Sequence, residues 1–319
     1  MIVAVSPAMR RAVALAERYA RTRLPIVLVG ATGTGKELLA QHIHERSGRP
    51  GPLVDVNCCA LPRDMVESLL FGHRRGAFTG AMESTVGHVE RSDGGTLFLD
   101  ELTGLSPEAQ GKLLRVLETG EVQPLGAGAK RRVDLRVISA VQEDIWAALD
   151  RGRFRGDLFQ RAAGVVIELS PLAARPEDLL PIATHFAGMC GKRLEPDVER
   201  ELLGYAWPGN VRELRLAIER AAELAPDGTL PSSVVAEAIA LGAWRAEVRP
   251  RPLPTDRDQW WDVCAAHGWD EQRITVALGM ARATLYRYLR AVGVSLRRGR
   301  KAHPASLTKS QKSHEVSPV

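Results

Sequence analysis

The sequence predicts an α/β domain with a mainly parallel sheet, followed by a helical subdomain and a small all-α module. Three observations predict it. Short apolar runs alternate with longer helical patterns through the first two-thirds of the 319 residues. A glycine-rich stretch, Gly30-Ala31-Thr32-Gly33-Thr34-Gly35-Lys36, follows one of these runs and opens a helix. Pro171 then interrupts the strand pattern, and Glu177 to Ala225 reads as helix throughout.

Composition sets the outer limits. Hydrophobic residues make up 45% and charged residues 25%, an ordinary globular balance that excludes a disordered or fibrous chain. No apolar run approaches the roughly 20 residues that span a bilayer. Arg10, Arg11 and Arg18 fall inside a helical pattern where a signal peptide would need its apolar core. The expected location is the cytoplasm, with no membrane partner. Cys58, Cys59, Cys190 and Cys264 lack metal-ligand spacing and read as small reduced core thiols. Net charge is +5 with a pI near 9.2, a mild pointer to a polyanionic partner.

Strand candidates are Pro25 to Val29, Thr96 to Leu99, Leu135 to Ala140 and Gly164 to Leu169. The boundaries expected are 1–170 for the α/β subdomain, 171–242 for the helical one and 243–256 for a linker with three prolines between Arg249 and Pro254. A helical module over 257–296 and a basic, disordered tail over 297–319 complete the chain.

The loop from Gly30 to Lys36 has a mechanical meaning between strand and helix. Its glycines let backbone N–H groups curl around phosphate oxygens, the helix N-terminus adds positive potential, and Lys36 supplies a charge for the β- and γ-phosphates of ATP. Glu37 stands where most such loops have Ser or Thr. Downstream, Leu97-Phe98-Leu99-Asp100-Glu101 is an apolar strand ending in two carboxylates. Asp100 suits Mg2+, directly or through water, and Glu101 suits polarisation of the attacking water.

The stretch Gly76-Ala77-Phe78-Thr79-Gly80-Ala81 resembles the GAFTGA loop of sigma-54-dependent transcriptional activators, a branch of the AAA+ ATPases. Glu67 to His73 and Gly94 to Glu101 match the same family, as does Glu37. The resemblance runs from about Ser6 through Ala225 and implies an AAA+ core with a helical lid. Its implied partner is the sigma-54 RNA polymerase holoenzyme, touched by Phe78 and Thr79 when ATP is bound. Asn57 then matches the residue that holds the catalytic glutamate. Arg155 and Arg161 match the arginine-finger segment, which reaches the neighbouring subunit's γ-phosphate. The segment Trp207 to Leu214 resembles sensor II: Pro208 and Gly209 turn, Asn210 caps, and Arg212 faces nucleotide across the lid. Two departures stand out. After Arg136-Val137-Ile138 the chain reads Ser139-Ala140-Val141-Gln142, leaving Gln142 to read the phosphate, and Ala162 follows Arg161 where Leu is usual.

A finger given to a neighbour needs a head-to-tail contact, which closes into a ring where the rotation allows. The family implies a hexamer, built from this chain alone or mixed with a related activator.

In the last module, Asp270-Glu271 opens a short helix with Ile274, Ala277 and Leu278 on one face, and Gly279-Met280 forms a turn. A second helix places Ala281, Leu285, Leu289 and Val292 on a buried stripe and Arg282, Thr284, Arg287 and Tyr288 on the opposite face. That layout is a helix-turn-helix for double-stranded DNA, here an upstream activator sequence, and it resembles the Fis-type domain of the same family. Arg282 and Arg287 either read guanine edges or grip phosphates. Trp260 and Trp261 are expected to pack this module.

Only a short helical segment precedes the first strand, so the expected control is external, through a separate inhibitory or partner protein or regulated synthesis. Two other classes compete with the motor: a DNA-bound regulator acting by occupancy, and an unrelated AAA+ remodeller. The string from Gly76 to Ala81 argues against both.

Overall fold

The computed structural model describes residues 2–142, 145–242, 257–266, 269–271, 274, 285, 289 and 294–296. They fall into two units, Met1–Gly242 and Ala243–Val319.

The first unit is organised by a sheet whose three central strands are buried on both faces. Ile26–Val29 forms β1, Leu53–Asn57 β2, Thr96–Asp100 β3, Arg136–Val141 β6 and Val165–Glu168 β7. They make one parallel sheet in the order β2-β3-β6-β1-β7. Leu53–Asn57 extends the four strands expected from sequence to five. Because side chains alternate across a strand, Val27, Val56, Leu97, Leu99 and Val137 pack on one face, and Ile26, Leu28, Phe98, Ile138 and Ile167 on the other. Helices α1 (Pro7–Ala20) and α2 (Lys36–Ser47) bury Ala12, Ala16, Leu39 and Ile43 in the second cluster. Helices α3 (Val66–Phe71), α4 (His88–Arg91), α5 (Pro107–Thr119), α6 (Ile145–Asp150) and α7 (Gly156–Ala162) cover the first. A short hairpin of β4 (Glu121–Val122) and β5 (Arg131–Arg132) projects between α5 and β6.

Helix ends follow local chemistry. Ser6 caps α1 through its hydroxyl and Pro7 starts it; Ser106 and Pro107 do the same for α5, which stops at left-handed Gly120. At the far end of α1, the buried Arg136 donates to the carbonyls of Tyr19 (2.7 Å) and Ala20. Burial lowers its pKa to about 10.

The lid contains α8 (Leu179–Met189), α9 (Val198–Leu203), α10 (Asn210–Leu224) and α11 (Ser232–Gly242) around Ile182, Trp207, Leu214 and Ile218. It departs from the all-helical expectation for 177–225. Gly191, at positive φ, ends the helical run, and β8 (Arg193–Leu194) pairs in parallel with β9 (Thr229–Leu230).

In the second unit, α12 (Arg257–Ala266) buries Trp260 and Cys264 with Trp269, Ile274, Leu285 and Leu289, while Trp261 meets Trp269 edge-on at 4.5 Å. The tryptophans thus pack the module, as expected, and the stripe through Leu285 and Leu289 is buried. Ala277, Leu278, Gly279, Met280, Ala281, Arg282, Thr284, Arg287, Tyr288 and Val292 lie outside the described residues, as do the linker 243–256 and the tail 297–319. Among the described residues, no helix is long and apolar enough to cross a membrane.

Candidate nucleotide site and the glycine-flanked loop

Parallel strands deliver their C-terminal ends to one edge, and the site is built there. A cleft of about 420 Å³ is lined by Thr32, Gly33, Gly35, Lys36, Glu37, Asn57, Asp100, Glu101 and Arg212. These are sequence-predicted residues from four separate segments. Gly30, Ala31 and Thr34 build the loop from behind: Lys36 Nζ donates to the carbonyls of Gly30 (2.7 Å) and Ala31 (3.1 Å), and Thr34 Oγ1 donates to Ala31 O at 2.8 Å.

Asp100 is half-buried at the end of β3. Burial raises its pKa, while Lys36 and the bond from Glu101 N (3.0 Å) oppose that shift. A carboxyl desolvated in this way is stabilised by any cation that joins it. Glu101 follows at φ 55°, and Gln142 Nε2 donates to its Oε1 at 3.0 Å and Oε2 at 3.2 Å. Asn57 departs from the expectation that it holds the glutamate. Its Oδ1 accepts from Cys59 N and Ala60 N, both at 3.0 Å, because an Asn at a strand end satisfies the turn that follows. Cys59 is likewise no core thiol: it is exposed, with Sγ 3.8 Å from Glu101 Oε2, whereas Cys58 is buried.

The lid closes the other side. Val211 N donates to Gly33 O at 2.9 Å, and a Cβ on Gly33, at φ +78°, would come within 2.3 Å of Gly209 O. Only glycine permits this approach. Asn210 does not cap α10; Glu213 does, reaching back to Gly209 N at 2.7 Å. The Asn210 amide instead accepts from Leu172 N (2.8 Å) and donates to Thr32 O (2.9 Å). Arg175, also buried, donates to Thr34 O at 2.9 Å and pairs with Asp178 at 3.6 Å; Asp178 accepts from Val5 N, Ser6 N and Ser6 Oγ at 2.7 Å each. A second, mainly apolar pocket of about 230 Å³ shares Gly35, Leu38, Phe186 and Val211 with the cleft and adds Ile2, Val3, Met9, Ile182 and Met189. Sequence reasoning missed it, since no motif marks a pocket whose walls lie about 180 residues apart.

Arg155 and Arg161 do not line the cleft. Both are exposed: Arg155 holds Asp157 in two bonds (3.0 and 2.7 Å), and Arg161 Nε donates to Leu117 O at 3.2 Å.

Gly76 to Ala81 forms a tight loop, closed by Gly76 N to Ala81 O (2.9 Å) and Ala81 N to Phe78 O (3.0 Å), with positive φ at Gly76 and Gly80. Its base is tied to the β4–β5 hairpin by Arg74 N to Leu125 O and Leu125 N to Gly72 O, both 2.9 Å. Phe78 stays exposed in this loop. Its ring leans on His73 at 5.0 Å, and His73 Nδ1 lies 2.7 Å from Ser68 Oγ.

Residues 2–168 match the family described as the sigma-54 interaction domain, and residues 173–247 the AAA+ ATPase lid domain. The chain belongs to the sigma-54 interaction domain family. Among its relatives is the Nif-specific regulatory protein of Azotobacter vinelandii, 36% identical over 93% of this chain and 60% of that protein. The anaerobic nitric oxide reductase transcription regulator NorR of Salmonella agona is 43% identical over 81% of this chain and 54% of its own length. The chain therefore spans little more than half the length of these relatives. In structure it is similar to NtrX from Brucella abortus in complex with ATP, with a TM-score of 0.69 and 30% identity over 92% of this chain and 70% of that one.

The phosphate loop, the paired carboxylates and the loop from Gly76 to Ala81 fall inside residues 2–168, while Phe186, Val211, Arg212 and Arg215 reach the cleft from the lid match. The apolar pocket draws its walls from both matches, and Arg175, inside the lid match, reaches Thr34 in the other, which is why neither was legible from a motif in one of them.

Proposed function

We propose that the chain is an ATP-driven transcriptional activator that binds upstream DNA, assembles into a ring and uses hydrolysis to remodel the sigma-54 RNA polymerase holoenzyme into an open complex. One observation carries the reading: Lys36, Asp100, Glu101 and Arg212 converge on a single cleft in a chain of this family.

Backbone N–H groups of the loop and Lys36 hold the triphosphate, and the apolar pocket takes the base. Asp100 would hold Mg2+, which neutralises phosphate charge; one carboxylate plus phosphate and water oxygens is a sufficient set for that ion. Glu101 accepts the proton of the attacking water. Arg212 faces the phosphates from the lid. Arg155 and Arg161, exposed and outside their own cleft, serve the cleft of a neighbouring copy, which makes a head-to-tail hexamer the working form, from this chain alone or mixed with a related activator. Phe78 and Thr79 grip sigma-54, and the ties from Gly72 and Arg74 to Leu125 carry motion to them. Arg282, Thr284, Arg287 and Tyr288 contact DNA.

The test is open-complex formation with sigma-54 polymerase. Glu101→Ala is expected to abolish hydrolysis and activation together. Thr79→Ala should keep hydrolysis and lose activation. Full activation by the Glu101→Ala protein would leave a regulator that acts by occupancy alone.

A further inference from the structure

A second lid arginine lines the cleft beside the expected one. Arg212 and Arg215 stand three residues apart on α10, so they share a face of that helix, and both line the cleft. The helix begins at the phosphate loop, where Val211 N donates to Gly33 O at 2.9 Å. Arg215 lies only about 4.5 Å further along the axis than Arg212, less than the length of its own side chain. Helical side chains tilt toward the N-terminus of their helix, which for α10 is the end tied to the loop. Arg215 instead extends the other way, and its Nε donates to Glu219 Oε1 at 2.7 Å. That pair is solvent-exposed and has the cation N-terminal to the anion, the less favourable order for residues four apart. It holds the guanidinium weakly. Among the charged residues lining the cleft, Lys36, Arg212 and Arg215 face Glu37, Asp100 and Glu101, so cations and carboxylates balance before any phosphate enters. Without Arg215 the lining would be net negative, a poor host for a polyphosphate.

Resting on the reading of the cleft as an ATP site, we infer that Arg215 is a further nucleotide-binding residue, which leaves Glu219 and turns back along α10 to hold the polyphosphate beside Arg212. Phosphate oxygens accept both arms of a guanidinium in charge-assisted bonds, and these outweigh one bond to an exposed carboxylate. Glu219 is then a competitor for the arginine, and parks it between turnovers. The phosphates are held in the ground state as well as during the reaction, so the contact is one of uniform binding. It sets KM and leaves kcat alone.

The experiment measures the Kd of the full chain for a fluorescent, non-hydrolysable ATP analogue, with steady-state ATP hydrolysis in parallel, for wild type, Arg215→Gln, Arg215→Lys, Glu219→Gln, the double variant Arg215→Gln/Glu219→Gln and Lys36→Ala. Arg215→Gln is expected to raise Kd and KM about tenfold with kcat within about twofold of wild type, the shift that follows loss of one charge-assisted contact. Arg215→Lys keeps the charge without the fork and should recover part of the loss. Glu219→Gln should tighten binding about twofold, because it removes the competitor. The double variant should match Arg215→Gln alone. If the pair served only the helix, both single variants would shift binding slightly and in the same direction. A Kd for Arg215→Gln equal to that of wild type overturns the assignment, and so does a Glu219→Gln protein that binds more weakly than wild type. Unimpaired binding by Lys36→Ala would instead overturn the functional reading beneath it.

Discussion

The side-chain amide of Asn210 on the lid donates to the backbone carbonyl of Thr32 in the phosphate loop at 2.9 Å, while its oxygen accepts from Leu172 N at 2.8 Å. One buried carboxamide therefore fastens both halves of the cleft. Asn210 also sits at φ 53°, a region that Asn tolerates better than most residues. Asn210→Ala should cost about 1–3 kcal/mol, since two buried polar groups lose their partner. Urea denaturation checks this. Asn210→Asp keeps the acceptor for Leu172 but sets a carboxylate against Thr32 O, so it should weaken ATP binding more than the alanine does relative to its effect on stability.

A neighbour-supplied arginine predicts complementation. Arg161→Ala should lower hydrolysis by about 10³-fold or more, and Glu101→Ala should be inactive. The Arg161 change should leave the fold intact, because an exposed arginine contributes about 0–1 kcal/mol to stability. Mixing the two inactive proteins should restore part of the activity, since a ring then holds an intact cleft beside an intact arginine. Measured rates that stay at zero across all mixing ratios would place Arg161 in its own subunit's chemistry.

Stability should fall as pH drops below about 6.5. His44, whose Nδ1 lies 2.9 Å from Thr96 Oγ1, and His88 both have pKa values lowered by burial from the ordinary 6.5. The unfolded chain takes up a proton at pH 6.5 while the folded chain resists it until its own, lower pKa. By linkage, their contribution is complete above 6.5 and is lost progressively as pH falls through the folded values. Thermal unfolding between pH 5 and 7.5 checks the sign, and His44→Gln should flatten the slope.

Arg136→Met should destabilise the first unit by about 1–3 kcal/mol, because the carbonyls of Tyr19 and Ala20 at the end of α1 lose their donor. Lysine should recover little, as one ammonium cannot reproduce the fork that reaches both carbonyls. A calorimetric Tm unchanged by either substitution would mean that water serves those carbonyls equally well.

Much of the fold was legible because its rules are local. Apolar runs marked β1, β3, β6 and β7 through chemistry confined to a few residues. The phosphate loop and the pair Asp100-Glu101 were legible for the same reason. What escaped was decided by tertiary contact. Leu53–Asn57 alternates apolar and polar residues only over its last four positions, and its place beside β3 is decided by pairing. The β8–β9 pair joins segments about 35 residues apart, each too short to carry a periodic signal. Asn57 and Asn210 were assigned functions that suited their type, but which group a short amide bonds depends on the fold around it. Gln142 is the reverse case: a substitution that looked like a weakened position in the sequence faces the hydrolytic carboxylate in three dimensions.

The buried pair of Arg175 and Asp178 has a practical reach. Asp178 takes three bonds from Val5 and Ser6, and its partner Arg175 holds Thr34 in the phosphate loop. Shortening the chain by half a dozen residues at its start would strand that carboxylate away from water and loosen the arginine, so a trim that looks cosmetic should behave like a lesion in the nucleotide cleft. Anything that pulls on those first residues, a fused tag or a bound protein alike, holds a tether to the ATP site.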